Sequence, residues 1–298
     1  MAQTPAAEFV IDEALVRSLL AAQAPAFADL DLSMVASGWD NEMWRVGEGH
    51  VVRLPRRAMA VELIEHEQRW LPELAPLLPV AIPVPVVAGT PTEAHPRPWN
   101  LVRWLAGAPL ADRPGSIEFA TALAAFLRAL HRPAPAEAPV NDWRGVPLSL
   151  RADRVETGID AFEARGEGAL AARLRSRWAE LLPAPAHHGE PVWLHGDLHP
   201  LNLLEDDGAL AAVIDFGDLT SGDPASDLAV AWMAFDGDVR PDFQAMLPAV
   251  DLATWARAQG WALALGVLVL QNTDDDPVLE AVGRATLDRV LSDRPPLG

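Results

Sequence analysis

At 298 residues the chain is long enough for one large domain or for two lobes sharing a cleft. Its 23 basic residues against 42 acidic ones give a formal charge of −19, which repels a phosphate backbone, excludes nucleic acid as a natural partner and favours cationic ligands or divalent metal. All the basic residues are arginines, and cysteine and tyrosine are absent, so a Schiff-base lysine, a Walker-type phosphate loop, thiolate catalysis, disulfides and Cys-ligated zinc are excluded.

The opening Met1-Ala2-Gln3-Thr4-Pro5 lacks a basic region and is followed by Glu8, Asp12 and Glu13, unlike a signal peptide. The expected location is the cytoplasm. Apolar spacing of Val10, Ile11, Leu15, Leu19 and Leu20 predicts a helix over Glu8–Leu20. Short strands follow at Leu32–Ala36, Met43–Val46 and His50–Leu54. They are separated by Ser37-Gly38-Trp39-Asp40-Asn41 and Gly47-Glu48-Gly49, the pattern of a three-stranded antiparallel meander. A helix over Ala58–Leu74 and strands at Val84–Ala88 and Trp99–Trp104 complete a small first lobe. The uncharged run Leu74–Thr92 is broken by Pro76, Pro79, Pro83, Pro85 and Pro91, and Ala258–Thr273 is too short and polar to span, so no membrane partner is expected.

Past Gly107 the chain turns alanine-rich and helical, with helices expected over Ile117–His131 and, as one or two pieces, Asp153–Leu182. Short strands are expected at Val192–Leu194, Leu201–Leu204 and Ala211–Ile214, then helices at Pro224–Ala234, Leu252–Leu270 and Pro277–Leu291. The expected division is residues 1–104 as a small, sheet-bearing lobe and 105–298 as a larger, mostly helical lobe.

Between His195 and Arg240 stand ten acidic residues and one arginine, a density that calls for a hard cation with oxygen ligands. The informative part is the order His195-Gly196-Asp197-Leu198-His199-Pro200-Leu201-Asn202, a short apolar run, then Ile214-Asp215-Phe216-Gly217. This H-x-D-x-x-x-x-N then D-F-G order is that of kinase catalytic and metal loops. There the first Asp orients the acceptor hydroxyl, and the Asn and second Asp hold Mg²⁺ on the nucleotide phosphates.

HGDLHPLNLL and VIDFGD resemble the aminoglycoside phosphotransferase superfamily, whose His-Gly-Asp form replaces the His-Arg-Asp of protein kinases. Gly222-Asp223-Pro224 and Asp227-Leu228-Ala229 are similar to its helix start after the metal loop. The resemblance implies an α+β, two-lobed, protein-kinase-like fold, with a small antiparallel-sheet N-lobe and a larger, mostly helical C-lobe. It makes Asp197 the catalytic carboxylate, Asn202 and Asp215 the Mg²⁺ ligands, and His195, His199 and Asp227 structural supports. Asp227 is expected to accept hydrogen bonds from the catalytic-loop backbone, and Asp223 to cap the next helix.

Kinases pair a strand lysine with a helix glutamate to hold the α/β-phosphates. With no lysine in the chain, Arg53 takes that place and Glu67 is its expected partner, with Glu62 or Glu65 as register alternatives. Ser37, in the loop between the first two strands, is placed to bring backbone amides to the phosphates. Val102 and Trp104 mark the hinge segment that would read the base. Asp218, Asp223, Asp236 and Asp238 are the candidate contacts for a cationic acceptor.

The expected function is an Mg²⁺-dependent transfer of the γ-phosphoryl of ATP or GTP to a hydroxyl of a small, cationic molecule. The resemblance favours an aminoglycoside or macrolide antibiotic, and Arg56-Arg57 is similar to the macrolide-kinase first lobe. The alternatives are a metabolic kinase for an amino alcohol, sugar or nucleoside, and a nucleotide-binding protein without transferase activity. Either a monomer or a homodimer fits.

Overall fold

The computed structural model describes residues 8, 10–38, 40–111, 113–272 and 276–294. Met1–Pro5, Trp39 and the side chain of Ser37 lie outside that description. The chain divides into two compact units, one of Gln3–Ala106 with Val213–Gly217, the other of Gly107–Ala212 with Asp218–Gly298.

The first unit begins with helix α1 (Glu13–Gln23), which starts later than its apolar spacing suggests because Asp12 caps it, accepting from the Leu15 amide at 2.9 Å. Glu8 is used elsewhere: its carboxylate accepts from the Ala58 amide and pairs with Arg97. Strands β1 (Leu32–Ser37), β2 (Asn41–Val46) and β3 (His50–Pro55) form the expected meander. After the meander come α2 (Val61–Leu74), β4 (Pro85–Gly89) and β5 (Trp99–Arg103). The sheet has five strands in the order β1-β2-β3-β5-β4, every neighbouring pair antiparallel. One face buries Val46, Val52, Leu54, Trp99 and Leu101 against Val16, Leu19 and Leu20 of α1. A 3₁₀ turn over Ala58–Ala60 occupies the first positions expected of α2, whose buried stripe is Ile64, Glu67, Trp70, Leu71 and Leu74. A glutamate inside such a stripe requires a buried partner.

In the second unit β6 (Ala108–Pro109) leads to α3 (Ile117–Leu130), capped by Ser116 through the Phe119 amide. The hairpin-like pair α4 (Ala152–Ala164) and α5 (Gly168–Leu181) follows, so the predicted helical stretch is two helices. Short strands β7 (Val192–Leu194), β8 (Leu203–Asp206), β9 (Ala209–Val213) and β10 (Thr220–Gly222) form two small sheets, β10-β7 and β6-β8-β9. The strand expected from Leu201 begins at Leu203, because Pro200–Asn202 makes a 3₁₀ turn closed by His199 Nδ1 accepting from the Leu201 amide.

The chain ends in α6 (Ala225–Leu228), α7 (Val230–Ala234), α8 (Arg240–Ala245), α9 (Leu252–Asn272) and α10 (Pro277–Ser292). The single helix expected over Pro224–Ala234 is broken where the Trp232 amide bonds back only three residues, to the Ala229 carbonyl. Trp178, Trp232, Trp261, Phe119, Phe126, Phe162, Phe235 and Phe243 fill this unit's interior. Among the described residues no helix is long and apolar enough to cross a membrane.

Candidate active site

Each unit carries one cluster of the residues singled out from the sequence. In the first unit Arg53 projects from β3, Glu67 from α2 and Asn100 from β5, directly across from Arg53 in the strand register. Arg53 Nη1 donates to both oxygens of Glu67, at 2.7 and 2.8 Å, and Asn100 Nδ2 donates to the same carboxylate at 3.0 Å. Arg53 Nη2 reaches Asp215 Oδ1 at 3.3 Å. Glu67 is fully buried and Arg53 nearly so. Burial pushes the Glu67 carboxyl up, against the pull of Arg53. For Arg53 burial is outweighed by the charges of Glu67 and Asp215. Of the register alternatives, Glu62 lies against His66 instead, and Glu65 is exposed.

Asp215 adopts φ +62°, a left-handed conformation unusual outside glycine, and leaves 58 % of its side chain exposed. Buried Phe216 anchors the turn behind it. Ser37 ends β1 opposite Glu42, and the turn beyond closes with the Gly38 amide on the Asn41 carbonyl. Val102 is buried in β5 opposite Val51. Trp104 follows with its amide on the Gly49 carbonyl and its half-exposed ring 3.8 Å beneath the Arg45 guanidinium.

In the second unit the loop from His195 to Asn202 is built around Asp227. The Asp227 carboxylate accepts from the His195 amide at 2.8 Å and the Gly196 amide at 2.9 Å, and lies 3.2 Å from His131 Nε2. Burial would raise the Asp227 pKa, but His131, His195 and the loop amides hold it below the usual carboxylate range. Gly196 has φ +86°, and a Cβ there would stand 2.1 Å from the Asp218 carbonyl oxygen, so only glycine fits. The Asp197 amide donates to His195 Nδ1, and Asn202 Nδ2 donates to the Asp197 carbonyl at 2.9 Å, closing the loop on itself. That bond fixes the Asn202 amide.

The Asp197 carboxylate is about a third exposed. Arg144 Nη2 donates to its Oδ1 at 2.7 Å, while its Oδ2 is 3.4 Å from His199 Nε2. His199 Nδ1 accepts from the Leu201 amide, and Nε2, which faces Asp197, also lies 3.2 Å from Asn202 Nδ2. Burial alone would raise the Asp197 pKa, but Arg144 and His199 hold it well below the usual range, so the group is an anion at neutral pH. Arg144 also faces Asp218 (Nε to Oδ2, 3.4 Å), whose other oxygen accepts from Asn141 Nδ2 at 2.8 Å.

The other acidic residues are engaged differently. Asp223 is buried in a two-point pair with Arg257, at 2.6 and 3.0 Å, and caps α6 through the Ala225 amide. Asp236 holds Arg289 at 2.7 Å, and Asp238 is exposed. Arg144, Asn100, Asn141 and His131 were not legible as site residues: each meets its partner across 33 to 96 positions of chain, with no local motif around it.

The sequence pattern of the phosphotransferase enzyme family matches residues 31–261. Among solved structures, the GDP and kanamycin complex of APH(2″)-IIIa superposes with a TM-score of 0.67 at 21% identity, covering 93% of this chain and 98% of its own. The macrolide 2′-phosphotransferase of Brachybacterium faecium gives 0.58 at 25% identity, covering 90% and 97%. The streptomycin–ATP ternary complex of APH(2″)-IIa gives 0.56 at 18% identity, covering 94% and 97%. No curated protein matches the sequence.

Proposed function

Because the chain belongs to the phosphotransferase enzyme family, whose members act on hydroxyl groups, we propose that it moves the γ-phosphoryl of ATP or GTP to a hydroxyl of a small molecule, with Asp197 as the catalytic carboxylate. The observation that carries this reading is the setting of Asp197: one oxygen fixed by Arg144, the other turned to His199, on a loop whose amides are tied to Asp227. An anion so stabilised is a weak base. Its part is to hold the acceptor hydroxyl in line and to receive its proton as the new P–O bond forms, which suits the loose transition state of phosphoryl transfer.

Arg53 is the cation for the α/β-phosphates, held by Glu67 as a kinase lysine would be. Asp197, Asn202 and Asp215 together favour a transferase over a nucleotide-binding protein without activity, since binding alone has no need of the Asp197 carboxylate. Asn202 Oδ1 and the Asp215 carboxylate are hard oxygen donors of the kind magnesium takes. Magnesium takes few protein ligands and fills the rest of its shell with water and substrate phosphate oxygens. Magnesium, when bound, neutralises the charge that develops on the phosphates.

The neighbours' ligands support an antibiotic acceptor. Two observations shape that choice: Asp218, Asp223 and Asp236 already hold arginines, while Val140, Trp143 and Leu150 stand exposed on the segment that carries Arg144. An apolar, macrolide-like acceptor therefore fits better than a polycationic aminoglycoside. A metabolic hydroxyl compound is the alternative.

The test is nucleotide consumption with Mg²⁺ and either ATP or GTP over macrolides, aminoglycosides, amino alcohols and sugars. Asp197→Asn should bind Mg-nucleotide nearly as before while turnover falls roughly 10²-fold or more. Unchanged turnover would remove Asp197 from the mechanism, and nucleotide binding without turnover on any acceptor would favour the inactive binding protein.

A further inference from the structure

Asn100 is an amide set among the apolar residues of β5, fully buried between Trp99 and Leu101. Its Nδ2 donates to Glu67 Oε2 at 3.0 Å, while its Oδ1 is buried with no hydrogen-bond partner among the described residues. A buried acceptor without a donor costs stability, so on packing alone an apolar residue would serve better in this place. Turning the amide over would set its oxygen against the carboxylate, so the side chain has one use here, to donate to Glu67. Arg53 and Asn100 are the hydrogen-bond partners of that carboxylate among the described residues.

That bond bears on how Glu67 holds Arg53. An arginine and a carboxylate commonly pair fork to fork, two nitrogens donating to two oxygens. Here the single nitrogen Nη1 of Arg53 takes both Glu67 oxygens, at 2.7 and 2.8 Å, and Nη2 is left to Asp215 Oδ1 at a longer 3.3 Å. Asn100 stands directly opposite Arg53 in the β3–β5 register and reaches the carboxylate from that strand. Helix α2 is anchored separately: Gln68, next to Glu67, donates from Nε2 to the Gly89 and Trp99 carbonyls, at 3.2 and 3.0 Å. The helix therefore keeps its place with or without the amide, and what Asn100 controls is the orientation of the carboxylate. We propose that Asn100 is a positioning residue for nucleotide binding: by pinning Glu67 Oε2 it confines the ion pair to Arg53 Nη1 and keeps Nη2 available to a phosphate oxygen. A lysine, with one nitrogen, needs no such help, whereas a two-nitrogen fork on Glu67 would withdraw the part of the guanidinium that a phosphate requires. The phosphate role rests on the phosphotransferase reading above; the pairing geometry does not.

Calorimetry on the full chain gives Kd for Mg-ATP and Mg-GTP in Asn100→Ala, both alone and in an Arg53→Lys background. Alone, the change should weaken nucleotide binding about tenfold, the scale of one hydrogen bond to a charged group. In the Arg53→Lys background it should alter Kd by less than about twofold, because an ammonium has no second nitrogen to withdraw. An equal loss in both backgrounds marks a merely structural residue and overturns the proposal, as does no loss in Asn100→Ala alone. A crystal structure of Asn100→Ala without nucleotide reads the pairing directly. Glu67 should then engage two nitrogens of Arg53, and a carboxylate still held by Nη1 alone overturns the proposal. Asn100→Val, which also lacks the donor and suits a strand, replaces Asn100→Ala if that variant does not fold. An unmodified chain that binds neither nucleotide overturns the phosphotransferase reading and the phosphate role with it, while the crystal structure still decides whether Asn100 sets the pairing.

Discussion

Arg53 holds two carboxylates on one guanidinium, Glu67 through both oxygens and Asp215 at 3.3 Å. An ammonium offers no such fork, so arginine at this place does more structural work than a lysine would. Arg53→Met should therefore lower unfolding stability by about 3–5 kcal/mol in urea titration, the cost of stranding buried Glu67, and adding Glu67→Gln should recover part of the loss. Gly196→Ala meets both a left-handed backbone and the Asp218 carbonyl, so a destabilisation of at least about 2 kcal/mol is expected in the same measurement.

His95, fully buried on the loop before β5, gives a pH prediction of defined sign. Burial, with the charge of Arg97 beside it, pulls its pKa down to about 4. The unfolded chain takes up the proton below about 6.5 and the folded chain only near 4, so stability falls as pH drops through that window, by up to about 3 kcal/mol. His95→Gln should flatten this part of the stability curve relative to the unmodified chain, as read by denaturant unfolding at pH 7, 5.5 and 4.5.

At the level of elements, short apolar-rich runs made β2, β3 and β5 readable, and turn residues set their ends. The misplaced boundaries share a cause: single side chains that redirect backbone hydrogen bonds. Asp12 delays α1, and His199 with Pro200 turns expected strand into a 3₁₀ turn. β6, β10 and α8 went unpredicted because each is six residues or fewer and has too little periodicity to register. The candidate catalytic loop was legible because its pattern is compressed into eight consecutive residues. Of its supports, Asp227, expected from its place after the metal loop, clamps the loop from α6, whereas Arg144 was not legible, since it reaches the loop from 53 positions upstream. Asp227→Asn keeps the side chain's shape but turns one acceptor into a donor against a loop amide. It should reduce turnover and raise amide exchange at His195 and Gly196, measured by hydrogen–deuterium exchange, with nucleotide affinity changing less than turnover.

Over the whole molecule the charge of −19 is a source of self-repulsion that salt screens. The division into units has a different bearing. The backbone leaves the first unit after Ala106, re-enters it for Val213–Gly217, and leaves again. The Arg53 cluster is thus assembled from two distant stretches of the gene, with Asp215 encoded inside the portion that specifies the other unit. A single genetic crossover at the 106/107 boundary would combine one parent's arginine with the other parent's aspartate. Chimeras of related sequences therefore inherit a matched Arg53 cluster only when the short Val213–Gly217 insert travels with the N-terminal portion, which makes that pentapeptide a required second cassette in any shuffling of this scaffold.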